Sequence, residues 1–290
     1  EKAVGLTVVD DDGATGSATE TVEVRDFGEP FITVWETTSP DSSVTIPTDT
    51  SNSSYDFVID WGDGTTETYT GADPDPTHSY DQAGTYTVEI SGTFPRIYLN
   101  AAFNGSGDRA NARRLQSIEQ WGDIQWESMA GAFSGAENVT YDAGDTPDLS
   151  SVSSMALMFG GAQNFNGEIG DWDVSGVIDM VALFAGAENF NRDIGAWNVS
   201  NVLSMSFMFF DAQNFNQDIS AWDVSNVFLM DSMFSGSSNF NRDIGSWQTG
   251  NVTEMGAMFN GATSFNQNIG GWDVSSVGGK AFMFAGASTL

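Results

Sequence analysis

The sequence predicts a mainly β protein in which a β-sandwich precedes a parallel solenoid of 25-residue repeats. Short apolar segments alternate with turn residues as far as residue 99, and aromatic residues recur every 25 positions from about residue 150. Short strands between turns are typical of antiparallel sandwiches, whereas fixed self-similarity is typical of solenoids. Hydrophobic residues make up 40% of the 290 residues, which is enough to bury such cores.

Residues 1–27 contain two alternating apolar segments on either side of a turn, which predicts a β-hairpin. An isolated hairpin is marginal in water, so we expect it to close a domain whose other strands come before it. The turn contains Asp10, Asp11 and Asp12, a candidate Ca²⁺ site because this ion prefers clustered oxygen ligands. The alternative is that turns favour aspartate in any case.

Residues 28–99 are expected to form a β-sandwich of six short strands. Their apolar segments are Phe31 to Trp35, Val44 to Ile46, Tyr55 to Trp61, Thr65 to Tyr69, Thr85 to Ile90 and Phe94 to Leu99. Clusters of Gly, Pro, Asp and Ser separate the segments, as is typical of connections between antiparallel strands.

Two motifs occur in this second segment with a defined order and spacing. The first is Trp61-Gly-Asp-Gly64, and the second begins at His78-Ser-Tyr80 and ends at Gly84-Thr-Tyr-Thr-Val88. Together they resemble the polycystic-kidney-disease (PKD) type of immunoglobulin-like domain, and residues 4–24 resemble the closing hairpin of another such domain. The resemblance implies an extracellular spacer module in which His78 makes a structural hydrogen bond.

A 25-residue register extends through residues 151–290 and predicts about five and a half coils, truncated at the C-terminus. A unit of 25 residues cannot bury a core alone, so equivalent residues must stack in successive coils. The aromatic columns expected in this core are Trp172, Trp197, Trp222, Trp247 and Trp272, with Phe159, Phe184, Phe209, Phe234 and Phe259.

Each coil is predicted to contain one short parallel strand and one helical turn. Trp172 and Val174 alternate as in a strand, whereas Met155, Met158 and Phe159 have the i, i+3, i+4 spacing of a helix. The glycine that follows the helical spacing suits the left-handed conformation at a helix end.

The consensus of the repeat is M-x-x-M-F-x-G-A-x-x-F-N-x-D-I-x-x-W-D-V-S-N-V. Over residues 128–290 it resembles the BspA-like surface proteins, whose repeats are related to leucine-rich repeats and occur in bacterial and mycoplasma lipoproteins. The resemblance implies a leucine-rich-repeat-like solenoid on a cell surface. The stretch from residue 94 to residue 126 resembles the segment that joins such repeats to a sandwich domain. We expect residues 100–150 to form a linking cap with a degenerate first repeat.

Polar residues also recur in the 25-residue register. We predict that one asparagine column forms an amide ladder that satisfies backbone groups, the alternative being a ligand-binding column: Asn166, Asn191, Asn216, Asn241 and Asn266. The tryptophan column has a glycan contact as its alternative role. Ca²⁺ between neighbouring coils is a further hypothesis, with the candidate ligands Asp173, Asp193, Asp218, Asp223 and Asp243.

Composition argues against several classes of function. Forty acidic and nine basic residues give a net charge of −31, which opposes binding to nucleic acid or to anionic membranes. The absence of cysteine and the single histidine leave few routes to covalent catalysis, so we expect no enzyme and no catalytic residue. No apolar stretch approaches the roughly 20 residues that cross a bilayer, so no membrane insertion is expected within this chain.

These observations lead us to expect an extracellular, cell-surface protein, with Ca²⁺ as the one candidate cofactor. The leading hypothesis is an adhesion or protein/glycan-interaction scaffold, in which sandwich modules project the solenoid toward a partner. One alternative is a structural subunit of a surface layer, sheath or filament, in which the partners are copies of the chain. Another is an accessory region of a larger secreted hydrolase.

Overall fold

A computed structural model describes residues 4–9, 15–20, 28–48, 55–71, 75–101 and 108–287, and shows a mainly β protein. The strands are β1 (Val4–Val9), β2 (Thr15–Glu20), β3 (Phe31–Thr37), β4 (Ser42–Thr45), β5 (Asp56–Asp60), β6 (Thr66–Thr70), β7 (Thr77–Tyr80), β8 (Gly84–Thr93), β9 (Leu115–Gln120) and β10 (Thr140–Tyr141). The only α-helix in these ranges is α1 (Arg109–Ala112). No helix of the described ranges is long and apolar enough to cross a membrane.

The first two strands form a hairpin, as the alternating pattern of this segment predicts. β1 and β2 pair in antiparallel fashion along their full length. The proposed Ca²⁺ ligands Asp10, Asp11 and Asp12 lie outside the described residues.

Six strands form one sheet in the order β10-β9-β3-β8-β5-β6, and β4 pairs with β7 in a second, two-stranded sheet. Alternate side chains of β3 are buried, among them Phe31 and Trp35. Val44 of β4 and Tyr80 of β7 belong to the same buried cluster. The sequence alternation from which β3 is predicted is therefore the alternation between the core and the outer face. The strand β7 is not among the six predicted segments.

The predicted strand at residues 94–99 is wrong, because β8 ends before it. Pro95 has no N–H to donate to a strand ladder. The Tyr98 N–H donates to the Pro47 carbonyl at 3.0 Å, away from the six-stranded sheet. The segment is apolar for another reason, which is that side chains such as Ile97 are buried in the core.

The turn from Trp61 to Gly64 joins β5 to β6 and depends on glycine. Gly62 has φ of +79°, and a Cβ atom there would lie 2.3 Å from the Thr87 carbonyl oxygen. Only glycine fits a position with that conformation and that close approach. The Asp63 carboxylate accepts the Thr65 N–H at 2.9 Å and closes the turn.

His78 connects this turn to the second motif. Its Nε2 lies 2.7 Å from the Asp63 carboxylate, and its ring stacks on Trp61 with the ring centroids 5.1 Å apart. The Tyr80 hydroxyl donates to the Trp61 carbonyl at 2.8 Å. Partial burial raises the pKa of Asp63, but the hydrogen bonds from His78 and Thr65 outweigh it and hold that pKa below its usual value. This is the structural hydrogen bond expected at His78.

The strands β9 and β10 connect the first half of the chain to the repeats. β9 pairs antiparallel with β3, and β10 pairs parallel with β9. Trp121 directly follows β9 and is fully buried. Its ring centroid lies 5.5 Å from that of Phe31, 5.9 Å from that of Phe133 and 5.4 Å from that of Trp172. One continuous hydrophobic cluster thus extends from β3 into the first repeats.

Successive repeats lie side by side and parallel. One isolated bridge per repeat joins, in order, Ser154, Asp179, Ser204, Leu229, Glu254 and Gly279. In the segment that follows each bridge, every second N–H donates to the next repeat, as from Leu157 to Val181 at 2.8 Å. The N–H groups between them bond three residues back, as from Met158 to Met155 at 3.1 Å. The backbone therefore finds its partners partly within a repeat and partly between repeats.

Two details of the predicted coil are wrong. The described repeats contain no strand at Trp172–Val174 or its equivalents, because the bridge lies further along, at Asp179. The segment with helical spacing is a run of turns, because Leu157 has φ of +59° and interrupts a right-handed helix. The same positive φ recurs at Ala182, Phe207, Ser232, Ala257 and Phe282.

Two phenylalanine columns fill the interior of the repeats. In the first column all rings are buried, with neighbouring centroids 5.6 to 5.9 Å apart: Phe159, Phe184, Phe209, Phe234 and Phe259. The second column lies against it, with ring centroids 3.7 to 4.0 Å away within each repeat: Phe165, Phe190, Phe215, Phe240 and Phe265. The tryptophan column closes the core, with exposed fractions of only 3% to 7%: Trp172, Trp197, Trp222, Trp247 and Trp272.

Asp211 occupies a left-handed position that is glycine in neighbouring repeats. Its φ is +52°, whereas Gly186 and Gly236 have φ of +72° and +74° at the equivalent place. Left-handed backbone costs a residue with a Cβ atom about 1–2 kcal/mol. Burial raises the pKa of the Asp211 carboxyl, and the charge of Glu188 raises it further. The position is therefore unfavourable for aspartate on two counts.

Asp211→Gly is expected to stabilise the protein by about 1 kcal/mol, because it removes both the backbone strain and a half-buried carboxylate. Thermal unfolding followed by circular dichroism would show the melting temperature rising by a few degrees. Asp211→Asn is the control that removes the charge and keeps a side chain at the same φ. A lower melting temperature for Asp211→Gly would contradict this account.

Candidate functional surface

The asparagine column of the repeats forms a ladder along the molecule. The side-chain oxygen of Asn166 accepts the backbone N–H of Asn191 at 3.0 Å, and the same bond recurs up to the N–H of Asn266 at 2.9 Å. Each carboxamide replaces a backbone acceptor that the neighbouring repeat does not supply at this turn. The oxygen atoms of Asn166, Asn191, Asn216 and Asn241 are thus engaged with the protein itself.

The residue after each asparagine donates to the preceding repeat. Arg192 Nε donates to the Asn166 carbonyl and Gln217 Nε2 to the Asn191 carbonyl, both at 2.9 Å. Arg242 and Gln267 make the equivalent bonds. Arginine and glutamine alternate here because both can supply this donor.

Two further asparagine columns went unrecognised in the sequence, although they have the same 25-residue spacing. In one, side-chain amides bond to each other at 3.2 to 3.3 Å: Asn164, Asn189, Asn214 and Asn239. In the other, side-chain amides donate to serine carbonyls of the preceding repeat at 2.7 to 2.8 Å: Asn201, Asn226 and Asn251. The exposed surface of the repeats therefore carries ordered rows of amide groups.

Asn216→Ala is expected to destabilise the protein by about 1 kcal/mol, because the exposed N–H of Asn241 loses its acceptor and must bond to water instead. Chemical denaturation followed by tryptophan fluorescence measures the change. Asn239→Ala is the matched control: its side-chain amide bonds only to another exposed side chain, so the loss should be well under 1 kcal/mol. Equal losses in the two variants would show that the ladder does not satisfy backbone groups.

The five candidate Ca²⁺ ligands of the repeats are all exposed and each closes a local turn. Their Oδ1 atoms accept the N–H of the residue two positions later at 2.9 to 3.0 Å: Asp173, Asp193, Asp218, Asp223 and Asp243. Asn198 and Asn268 make the same bond, so the turn needs no charge. Among the residues that the structure describes, no three acidic or histidine side chains are grouped to hold a metal ion. Ca²⁺ binding stays a prediction.

These turns make a small contribution to stability that depends on pH. The N–H and hydroxyl of Ser220 lower the pKa of Asp218, and the hydroxyl and N–H of Ser225 lower that of Asp223. A carboxyl whose pKa is lower when folded stabilises the fold above its unfolded pKa, about 3.9. That contribution is lost as the pH falls through the folded pKa.

The double variant Asp218→Asn/Asp223→Asn is therefore expected to unfold at a lower pH than the parent, since asparagine keeps the turn without titrating. The shift should be small, because both carboxylates are exposed and solvent screens them. Circular dichroism during acid titration measures the midpoint, and denaturation at neutral pH is the control. An unchanged acid midpoint would contradict the role of these hydrogen bonds.

A cavity of about 740 Å³ lies where β9 meets the start of β3, and its lining is acidic. The Asp145 carboxylate accepts the backbone N–H groups of Trp121 and Gly122 at 3.0 and 2.8 Å. The Asp123 carboxylate accepts the N–H of Glu29 at 2.9 Å. Two of the lining carboxylates therefore hold backbone in place at this junction.

Comparison with protein families gives two overlapping matches, at residues 127–228 and 194–290, to the family described as "Mycoplasma protein of unknown function, DUF285". Together the matches cover more than half of the chain. They begin near the first inter-repeat hydrogen bond, from the Met129 N–H to the Ser154 carbonyl at 3.1 Å. Comparison with curated proteins and with solved structures finds no match.

Proposed function

We propose that this chain, which belongs to the DUF285 family of Mycoplasma proteins of unknown function, is an extracellular, cell-surface interaction scaffold without catalytic activity. In this proposal a PKD-type, immunoglobulin-like β-sandwich carries a parallel solenoid related to leucine-rich repeats. The solenoid presents a long regular surface to a protein or glycan partner.

The observation that carries the proposal is the register of the repeats. Backbone bridges connect six consecutive equivalent positions, from Ser154 to Gly279. Stacked phenylalanine rings fill the interior, so most variation between repeats falls on the outside. A core of this kind supports a rigid platform whose surface can change without loss of the fold.

Two features support the finer structural assignments. The bond between His78 and Asp63 joins the two sequence motifs on which the PKD resemblance rests. The net charge of −31 suits a surface that stays soluble and does not adsorb to anionic polymers.

Binding of the full chain to defined ligands tests the proposal. The protein is coupled to inert beads, which are applied to cultured cells, a glycan array and a panel of purified extracellular-matrix proteins. We expect saturable binding in at least one of these assays, and competition by the free chain. The Asn216→Ala variant, heated beyond its melting transition, is the unfolded control. Absence of saturable binding by the folded chain in all three assays would overturn the proposal.

A further inference from the structure

Three large apolar side chains form an exposed column on the repeats. Ile178, Leu203 and Phe228 occupy equivalent positions in consecutive repeats, and they are 44%, 43% and 46% exposed. The Leu203 N–H donates to the Ile178 carbonyl, and the Phe228 N–H to the Leu203 carbonyl, each at 2.9 Å. Strands paired in this way lie about 4.8 Å apart, so the three side chains form one continuous apolar stripe.

The fold does not require apolar residues at these positions. Ser153 precedes Ile178 in the same column and Thr253 follows Phe228. The backbone bonds continue through both, from Ile178 to Ser153 at 2.9 Å and from Thr253 to Phe228 at 2.8 Å. Polar residues are therefore compatible with the same backbone. A contiguous exposed apolar surface that packing does not explain is typical of an interaction site.

The sequence around the stripe is acidic. Asp179 follows Ile178 directly, and its carboxylate also accepts the Ser154 hydroxyl at 3.0 Å and the Val181 N–H at 3.1 Å. Asp231, which accepts the Ser206 hydroxyl, and Glu254 belong to the corresponding segments two and three repeats further on. The only cations between residues 115 and 279 are Arg192 and Arg242. Their Nε atoms bond to asparagine carbonyls at 2.9 and 2.8 Å, in another part of the coil. The stripe thus combines apolar side chains with nearby negative charge.

We propose that the apolar stripe is the docking surface for a cationic segment of a partner protein. Apolar side chains of that segment pack on Ile178, Leu203 and Phe228, while its lysine or arginine side chains pair with the carboxylates nearby. The apolar contacts supply affinity, and the complementary charges select and orient the partner. The inference rests on the proposed function, because it names the contact surface of the scaffold and the chemistry of its partner.

A second copy of the chain is a poorer occupant of the stripe. Each copy has a net charge of −31, so two copies repel each other. The repeats also offer few cations that could match the carboxylates beside the stripe, since Arg192 and Arg242 are the only ones between residues 115 and 279.

Two synthetic fluorescent peptides test the stripe: one alternates lysine with leucine, and the other alternates lysine with serine. Each is titrated against the full chain and against the triple variant Ile178→Thr/Leu203→Thr/Phe228→Thr. Threonine is chosen because Thr253 occupies the same column in the next repeat. We expect the leucine peptide to bind the triple variant on the order of tenfold more weakly than the parent. The serine peptide should bind both proteins with equal, low affinity. Equal binding of the leucine peptide to both proteins would overturn the inference.

A pair of charge variants tests the second half of the inference. Asp179→Asn/Asp231→Asn/Glu254→Gln should weaken the leucine peptide severalfold, because it removes the charges beside the stripe. Asp193→Asn/Asp218→Asn/Asp243→Asn removes the same charge elsewhere and should change binding far less. Equal effects of the two variants would mean that only the total charge matters, and would contradict the site.

Two further outcomes identify a different occupant or separate the two proposals. Sedimentation that shows dimers of the parent and monomers of the threonine variant would assign the stripe to a second copy and overturn the inference. Bead adhesion that survives unchanged in the threonine variant would also refute the stripe, while the scaffold function would stand. Absence of adhesion by the parent itself would count against both.

Discussion

Phe209→Ala is expected to lower the free energy of unfolding by about 3–5 kcal/mol. The ring is fully buried, with centroids of Phe184 and Phe234 at 5.7 and 5.6 Å and that of Phe215 at 3.9 Å. The cavity cannot collapse easily, because backbone bonds such as that from Phe209 to Met233 at 2.9 Å fix the spacing of the repeats. Urea denaturation followed by circular dichroism measures the loss.

The matched control is Phe207→Ala in the same repeat. Phe207 is 38% exposed, so its loss should cost well under half as much as the loss of Phe209. Similar losses for the two phenylalanines would mean that the columns do not form the core.

Trp121→Ala is expected to lower the free energy of unfolding by about 3–5 kcal/mol. It should also separate the unfolding of the six-stranded sheet from that of the repeats. Trp121 is the large side chain that contacts both Phe31 of β3 and Trp172 of the repeats, and its Nε1 donates to the Tyr141 hydroxyl at 3.0 Å. Scanning calorimetry should show one transition for the parent and two for the variant.

Trp121→Phe is the control for this junction. This variant keeps most of the aromatic ring and loses the hydrogen bond to Tyr141. Its loss of stability should therefore be smaller than that of Trp121→Ala, and calorimetry should show a single transition. A single, barely shifted transition in Trp121→Ala would mean that the two parts of the chain do not stabilise each other through this contact.

The side-chain columns could be predicted from the sequence, because identical residues at a fixed spacing have a simple physical cause. A 25-residue unit must bury its apolar face on its neighbours, so the phenylalanine and tryptophan columns mark the interior. The ladder from Asn166 was predictable for the same reason. The column that begins at Asn164 has the same 25-residue spacing and was therefore equally predictable.

The backbone path of the repeat could not be predicted in the same way. Left-handed conformations at Leu157 and Phe207 turn the chain, yet neither residue type favours that conformation. The spacing of Met155, Met158 and Phe159 identifies buried side chains correctly but is compatible with turns as well as with a helix. Inter-repeat bonds decide between them, and these depend on neighbours distant in sequence.

The apolar stripe was missed because its residues differ from repeat to repeat. A search for identical residues detects the core, whereas the outer column runs from Ser153 through Ile178, Leu203 and Phe228 to Thr253. Its common property is exposed apolar surface, which only the structure reveals. In a repeat protein, binding specificity is expected at surface positions that vary between repeats while the core stays constant.

Disulfide formation tests most directly whether each repeat lies against the next in register. The chain has no cysteine, so Gln163→Cys/Glu188→Cys introduces the only pair. These side chains are 3.2 Å apart, between Gln163 Nε2 and Glu188 Oε1, and in-register neighbours have the backbone separation that a disulfide needs. We predict that mild oxidation cross-links this pair within one molecule and leaves Gln163→Cys/Gln213→Cys, two repeats apart, reduced. A first pair that stays reduced, or equal cross-linking of both pairs, would contradict the stacking on which the architecture depends.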